Sequence, residues 1–129
     1  MTYQEELEKI IFKNVLTPGE KMRYPFYGTV VTKDWAEHGF FALTASALLI
    51  ATVPERKDGK PWIARFELDD IANTKSRRSL APGQYIIEIL FKDNRQCKVR
   101  AAKKLFFDSM PDQEKNFTKF MEIMKTYEK

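Results

Sequence analysis

The stretch YIIEILFKDNRQCKVRA, residues 85–101, decides the fold class of this chain. Its first seven residues are rich in β-branched and aromatic side chains, which are typical of strands. After a turn at Asp93 and Asn94, the small or apolar Cys97, Val99 and Ala101 alternate with polar residues. A period of two on both sides of a turn predicts an antiparallel hairpin with one buried face. We therefore expect a mainly β protein.

Five more segments upstream of this hairpin have strand-like patterns. The sequence predicts strands at residues 21–31, 40–44, 47–53, 62–68 and 71–78, in addition to 85–91 and 95–101. Short loops join most neighbours, so consecutive strands should pair antiparallel. A group of four and a group of three predict two sheets that bury their apolar faces on each other. Pro25 lacks a backbone donor and predicts an edge, a bulge or a break in the first strand.

Helical patterns flank the strands on both sides. Residues 2–15 predict an amphipathic helix, with Thr2 and Glu5 spaced as a capping box. Residues 109–128 predict a second helix, with Ser109 as the N-cap. Its apolar stripe consists of Phe117, Phe120, Met121, Met124 and Tyr127. We expect this second helix to cap the barrel formed by residues 16–107, within one domain that spans residues 1–129.

Composition excludes several classes of site. The single cysteine, Cys97, cannot form an internal disulfide and is expected to be a small core residue. With one histidine, His38, in a predicted polar loop, the chain cannot build the usual zinc sites. We therefore expect no metal and no cofactor. The apolar stretch 39–53 is shorter than the roughly 20 residues that span a bilayer. No signal-peptide pattern follows Met1, so we expect a cytoplasmic protein without a transmembrane segment.

The sequence contains none of the common catalytic motifs. No Ser or Cys motif accompanies His38, and no glycine-rich phosphate loop or nucleophile elbow occurs in the chain. The carboxylate pair Asp69 and Asp70 is adjacent in sequence, so in a strand the two side chains would point to opposite faces. The sequence therefore predicts a binding module, not an enzyme.

Three local patterns resemble those of bacterial pleckstrin-homology-like (PH-like) and GRAM-like domains. They are LTPGE at residues 16–20, GFFALTASALLI at residues 39–50 and FELDDI at residues 66–71. The resemblance covers roughly residues 16–128. It implies a seven-stranded bent barrel of four plus three strands, closed by the C-terminal helix. It also implies a non-catalytic binding module, used mainly for protein interaction.

A protein-interaction face is predicted from the strand at residues 85–91. If Tyr85, Ile87, Ile89 and Phe91 face inward, then Ile86 and Leu90 face outward, where exposed apolar side chains favour a cover. The N-terminal helix, from this chain or from a neighbouring copy, could provide one. The predicted interaction face is Leu7, Ile10, Ile11, Ile86 and Leu90, and homo-oligomerisation is the leading expectation.

The distribution of charge along the sequence predicts a second surface, which is basic. Residues 75–104 contain nine basic and two acidic residues, a local charge of +7, so the rest of the chain sums to −3. The candidate anion-binding face is Lys75, Arg77, Arg78, Lys98 and Arg100. Anionic lipid head groups are the alternative ligand. In eukaryotic PH domains the loop after the first strand clamps such groups, and here it offers Lys33 beside Asp34. Nucleic acid is the second alternative, weakened because no exposed aromatic residue interleaves with these cations.

Overall fold

Seven strands and one helix make up the described part of the chain. The computed structural model describes residues 6, 9, 11–53, 62–104 and 112–129. The strands are β1 (Arg23–Val31), β2 (Ala36–Leu43), β3 (Ala47–Thr52), β4 (Ile63–Glu67), β5 (Ile71–Arg78), β6 (Gln84–Phe91) and β7 (Gln96–Ala102). A 3-10 turn at Leu68–Asp70 links β4 to β5, and helix α1 spans Gln113–Lys125. The mainly β, seven-stranded prediction is confirmed.

The strands form one antiparallel sheet that curls into a half barrel. Its order is β4-β3-β2-β1-β7-β6-β5, so the groups of four and three are joined in a continuous sheet. The junction is short, because β1 pairs with β7 only at Thr29, Val30 and Val31. Gly28 precedes it, and a Cβ atom there would lie 2.7 Å from the carbonyl oxygen of Arg100. Glycine thus permits the close approach of β7 at the junction.

The first strand contains the irregularity that Pro25 predicts. The register with β2 shifts between Arg23 and Phe26, and Tyr24 has a left-handed φ of 56°. A β-bulge adds one residue to a strand and so reverses which face the preceding residues occupy. Strict alternation over residues 21–31 would put Met22 on the same face as Phe26 and Val30, but the bulge moves it to the opposite face. Met22 is buried with Phe12 on the outer face of the sheet.

Helix α1 closes one end of the half barrel, as predicted. Phe117, Phe120 and Met124 are fully buried in the main core, where the Phe120 and Phe26 ring centroids lie 4.8 Å apart. The helix is shorter than the predicted span of residues 109–128. Its N-cap is Asp112, with a left-handed φ of 61° and no side-chain capping bond. The expected cap, Ser109, lies outside the described residues.

The sequence predicts a helix at residues 2–15; among the described residues of that range no complete helix is seen, but Glu6, Lys9 and Ile11 have helical backbone. Most of that range, including Leu7 and Ile10, lies outside the described residues, and residues 13–15 form a turn. Phe12 is fully buried against the outer-face residues Ala42, Leu49 and Ala51. The end of the segment therefore covers the outer face of β2 and β3.

Strand β2 begins earlier than expected. The sequence predicts a polar loop up to Gly39, whereas the observed strand starts at Ala36. The reason is tertiary pairing: His38 and Glu37 lie opposite Thr29 and Val30 of β1, which outweighs their weak strand propensity. His38 is therefore a strand residue and not a loop residue.

Candidate functional site

A cleft of about 790 Å³ opens at one end of the half barrel. Its walls come from the β1–β2 turn, the start of β4 and the β6–β7 turn. Helix α1 packs toward the other end of β1, where the Asn116 side chain donates a hydrogen bond to the carbonyl oxygen of Pro25. We call this cavity the open-end cleft. Its size and concave shape are typical of small-ligand and side-chain pockets.

Aromatic rings line the open-end cleft. Phe66 and Phe91 are stacked, with ring centroids 4.7 Å apart. Trp35 and Trp62 meet edge to face at 5.1 Å, and Trp62 lies 6.2 Å from Phe66. Such offset and edge contacts are the favoured geometries of aromatic pairs. The four rings form a continuous apolar wall from the floor of the cleft to its rim.

Two threonines hold the tryptophans in place. Thr32 Oγ1 accepts a hydrogen bond from the Trp35 backbone N–H at 3.2 Å, and the Thr32 N–H donates to the Trp35 carbonyl at 2.8 Å. Thr52 Oγ1 likewise accepts from the Trp62 N–H at 2.7 Å. Hydroxyl groups that bond nearby backbone in this way stabilise tight turns. Both aromatic rim residues therefore stand on fixed backbone.

Three cations surround the mouth of the cleft, and two of them, Arg95 and Lys98, lie close to a carboxylate. The Arg95 guanidinium lies 5.5 Å from the Phe66 ring centroid, and its Nε is 2.6 Å from Asp93 Oδ2. Hydrogen bonds from Arg95, the backbone N–H first, hold the pKa of Asp93 below its ordinary value. Lys98 Nζ is 3.7 Å from Glu88. Lys33 is followed in the turn by Asp34.

Cys97 lies in the wall of the open-end cleft. It is 5% exposed, and burial raises the pKa of its thiol to about 12. The reactive form of cysteine is the thiolate, so this thiol is inert near neutral pH. Cys97 is thus a core residue, as the sequence predicts.

Four of the five residues of the predicted anion-binding face lie together. Lys75 and Lys98 flank Glu88 in one row across β5, β6 and β7, and Arg77 and Arg100 flank Ile86 in the next row. All four cations are exposed. Arg78 does not join them, because it pairs with the inward-facing Tyr85 and so points to the other face of β5.

The predicted interaction face is divided. Ile86 and Leu90 lie half-buried on the outer face of β6, among the cations of the basic rows. Ile11 packs instead with the outer-face cluster on β2 and β3, which are three and four strands away from β6. Leu7 and Ile10 fall outside the described residues. The structure therefore joins the apolar pair to the basic residues and separates both from Ile11.

His38 projects from the outer face of β2. Its Nδ1 lies 2.9 Å from Thr29 Oγ1, and its ring centroid lies 6.0 Å from that of Tyr27. Within the described ranges, no three His, Cys, Asp or Glu side chains are grouped so that they could hold a metal ion. In that same part of the chain, no helix is long and apolar enough to cross a membrane.

The open-end cleft is not predicted by any spacing pattern in the sequence. Its residues come from three separate segments of the chain, and only the closed sheet brings Trp35, Trp62 and Arg95 together. One signal was available: both tryptophans border a polar loop next to a strand. Large aromatic residues at strand ends are candidates for the rim of a barrel.

Comparison with solved structures shows that the chain has a PH-like fold. It is similar to the C-terminal domain of an unknown protein from Leishmania infantum, with 14% identity and a TM-score of 0.64 over 94% of this chain and 96% of that chain. It is also similar to the hSac2 domain of human phosphoinositide phosphatase Sac2, with 13% identity and a TM-score of 0.59 over 98% of this chain and 83% of that one.

A third similar structure carries the fold name. The PH domain of USP37 matches with 14% identity and a TM-score of 0.51, over 84% of this chain and 95% of that domain. No family model matches the chain, and no curated protein matches it. The structural similarity establishes the fold. Sequence identities this low leave the function to be argued from the site.

Proposed function

We propose that this chain is a non-catalytic binding module and that its open-end cleft receives an apolar side chain of a protein partner. One observation carries the proposal: a cleft of about 790 Å³ is walled by Trp35, Trp62, Phe66 and Phe91. Apolar pockets with a few placed polar groups are the usual form of a binding site. Aromatic and aliphatic anchors are also the side chains that dominate protein interfaces.

The charges at the mouth favour this ligand over a bare phosphate. A phosphate clamp needs two or more convergent cations that are free to donate hydrogen bonds. Here Arg95 is bonded to Asp93, Lys98 lies near Glu88, and Lys33 stands beside Asp34. An incoming phosphate would have to compete with these carboxylates, whereas an apolar anchor would not.

Selection from a random displayed peptide library tests the proposal. We expect the selected peptides to share an aromatic or long aliphatic anchor and to change tryptophan fluorescence when they bind. Trp35→Ala should weaken their affinity at least about tenfold, since it removes one wall of the pocket. The matched control is Leu80→Ala, because Leu80 is fully exposed and lies outside the cleft.

The result can contradict the proposal in two ways. Selected peptides without a common apolar anchor would contradict it. So would equal affinity for the wild-type protein and for a Trp35→Ala variant whose circular dichroism spectrum shows a folded sheet.

Anionic lipid is a second candidate ligand, favoured by the three cations Lys33, Arg95 and Lys98 around the cleft mouth. Sedimentation with vesicles of phosphatidylcholine, with and without phosphatidylserine or phosphoinositide, tests it. Binding that requires the anionic lipid, weakens with salt and is lost in Lys33→Glu would support this candidate. No sedimentation with any vesicle would exclude it.

Homo-oligomerisation is the remaining form of protein binding that we propose to test. Light scattering across a range of protein concentrations distinguishes a monomer from a dimer. A dimer that Ile86→Ser dissociates would support self-association through β6. A monomer at every concentration would leave only a different protein as the partner.

A further inference from the structure

The outer surface of β5, β6 and β7 combines the basic and apolar residues in a regular array. We call it the basic sheet face and define it by Lys75, Arg77, Ile86, Glu88, Leu90, Lys98 and Arg100. The cations form one column on β5 and one on β7. On β6, Ile86 lies between Arg77 and Arg100, Glu88 lies between Lys75 and Lys98, and Leu90 lies between the uncharged Asn73 and Gln96. Adjacent strands are about 4.8 Å apart, so the two columns of cations are separated by roughly 10 Å.

The charge of this face is largely uncompensated. Its single carboxylate is Glu88, and the same oxygen, Oε1, lies 3.7 Å from both Arg77 and Lys98. Lys75 and Arg100 take part in no ion pair among the residues that the structure describes. The face therefore attracts negative charge on both sides of its apolar centre.

The apolar centre has the length and width of one helix. Ile86 and Leu90 are four residues apart on the same side of a strand, a separation of about 13 Å. Two apolar residues eight positions apart on an α-helix are separated by about 12 Å, and a helix with its side chains is roughly 10 Å wide. A helix lying along β6 would thus place apolar residues over Ile86 and Leu90. Its two flanks would lie over the cation columns.

We propose that the basic sheet face docks an amphipathic helix with acidic flanks that belongs to a partner protein. The helix buries its apolar stripe on Ile86 and Leu90. Its glutamate or aspartate side chains pair with Lys75 and Arg77 on one side and with Lys98 and Arg100 on the other. This is the helix-binding mode of recognition, with charge complementarity fixing orientation. The surface is separate from the open-end cleft, and the two meet only at Lys98.

Other polyanions fit the face less well. A nucleic acid strand would require exposed aromatic rings on which its bases stack, and none of the seven residues that define the face is aromatic. A phosphate-rich membrane surface would bring anionic groups over Glu88 at the centre of the face, whereas a docked helix, which also lies over Glu88, can place an uncharged residue there. The row Arg77–Ile86–Arg100 suits a ligand with a charged-apolar-charged cross-section.

The test uses a synthetic acidic amphipathic helix of about 18 residues, roughly 27 Å long, as the probe. Its control is a peptide of identical composition in which the apolar positions are scrambled. We expect the full chain to bind the probe with micromolar affinity, measured by fluorescence anisotropy. The scrambled peptide should bind at least tenfold more weakly. Equal binding of the two peptides would overturn the proposal, because simple charge attraction would explain it.

Charge-reversal variants locate the site. Arg77→Glu combined with Arg100→Glu should reduce probe affinity at least tenfold. The matched control combines Lys115→Glu with Lys125→Glu, which reverses two exposed charges on helix α1. Because all four residues are exposed, both variants should fold, and circular dichroism checks this. Equal affinity in the two double variants would overturn the assignment to this face.

Two further measurements identify the class of occupant. The protein is also offered a thymidine oligonucleotide or phosphatidylserine vesicles in place of the probe. If either ligand binds more tightly than the probe, and if that binding is lost in the variant that combines Arg77→Glu with Arg100→Glu, the proposal is overturned in favour of that ligand. A dimer of the unliganded protein that this variant dissociates would instead assign the face to a second copy of the chain. Unchanged probe binding by Trp35→Ala would confirm that the basic sheet face acts independently of the open-end cleft.

Discussion

Gln113, the first residue of α1, is a buried polar residue. Its side-chain amide makes backbone hydrogen bonds of the kind that a neighbouring strand makes in a sheet. Its Oε1 accepts a hydrogen bond from the Tyr27 N–H, and its Nε2 donates to the Tyr27 and Ala102 carbonyls, all at 2.9–3.0 Å. Pairing of β1 with β7 extends only to Thr29, so the glutamine amide continues the ladder for one more position. Part-buried backbone groups of Tyr27 and Ala102 are thereby hydrogen-bonded.

Replacing this residue should be costly. We expect Gln113→Ala to lower the free energy of unfolding by about 2 kcal/mol, because it removes three part-buried hydrogen bonds to the backbone of Tyr27 and Ala102. Urea unfolding followed by circular dichroism measures the change. Gln96→Ala, an exposed glutamine on β7, is the control and should have little effect. Equal urea midpoints for the two variants would contradict this interpretation of the hydrogen bonds.

A second residue-scale feature is the ion pair between Glu20 and Arg65. Arg65 Nη1 lies 2.5 Å from Glu20 Oε1, and Nη2 lies 2.9 Å from Oε2, a bidentate arrangement. Arg65 also donates to the carbonyl oxygen of Val15. The hydrogen bond from Arg65 is the main cause that lowers the pKa of Glu20 from 4.5 to about 2. The pair fastens the N-terminal segment to the outer side of β4.

This pair predicts a pH dependence of stability. A carboxyl group whose pKa is lower in the folded state stabilises the protein above pH 4.5 and loses that contribution as pH falls toward 2. We expect Glu20→Gln to lower the free energy of unfolding by at most about 3 kcal/mol at pH 7. Its stability should also fall less steeply between pH 4.5 and 2 than that of the wild type. Urea titrations at several pH values measure both.

The exposed Glu122, which lies 3.5 Å from Lys119, supplies the control. Glu122→Gln should follow the wild-type pH profile, since exposed ion pairs contribute little. If Glu20→Gln also followed that profile, the low pKa of Glu20 would not be the source of acid sensitivity.

At the scale of elements, the N-terminal segment acts as a cover for β2 and β3. These strands are apolar on both faces, and all six residues of β3 are buried. The inner face packs in the main core, whereas the outer face packs under Phe12, Val15 and Leu16. A sheet that is buried on both sides needs such a second layer.

Truncating the centre of that layer should destabilise the whole domain. Phe12→Ala is expected to cost about 4 kcal/mol, because it opens a cavity over Ala42 and Leu49. Thermal unfolding and binding of a hydrophobic dye to the exposed sheet face measure the effect. Lys13→Ala, an exposed neighbour, is the control. A Phe12→Ala variant as stable as Lys13→Ala would show that the segment contributes no packing.

The elements differ in how well sequence predicts them. Strands β6 and β7 were predictable because their inward and outward residues alternate without interruption. The start of β2 was not, since Glu37, His38 and Gly39 have weak strand propensity and pair with β1 only in the folded sheet. The alternation in the sequence assigns Met22 to the inner face, but one bulged residue in β1 reverses the faces of the residues before it. The basic residues were predictable from charge density, but the face of Arg78 was not.

At the scale of the whole molecule, one curled sheet links both halves of the fold. The main core contains residues from both strand groups and from α1, so the two halves share it. We expect a single cooperative unfolding transition. Tryptophan fluorescence reports on the open-end cleft, and far-ultraviolet circular dichroism reports on the sheet. The two transitions should coincide in urea, and separate midpoints would show that the halves unfold independently.

The open-end cleft illustrates why a site at this scale escapes prediction. Its four aromatic rings come from residues 35, 62, 66 and 91, and no spacing in the sequence relates them. Closure of the sheet creates the neighbourhood of Trp35 and Arg95. Resemblance to PH-like domains predicted the architecture, but the chemistry of the cleft depends on side chains outside the three matching patterns, except for Phe66.

The amide of Gln113 between β1 and β7 has a consequence for slow motions of the domain. The Tyr27 N–H donates its hydrogen bond to a side chain of α1 and not to a neighbouring strand. Exchange of this amide proton therefore reports whether α1 is docked on the sheet. When the N-terminal end of α1 undocks, the Tyr27 N–H becomes exposed to solvent, even if the adjacent amides of the strands stay protected from exchange. Its hydrogen–deuterium exchange rate, compared with that of Val30, therefore measures helix undocking separately from global unfolding. Equal rates at the two positions would mean that helix and sheet open only together.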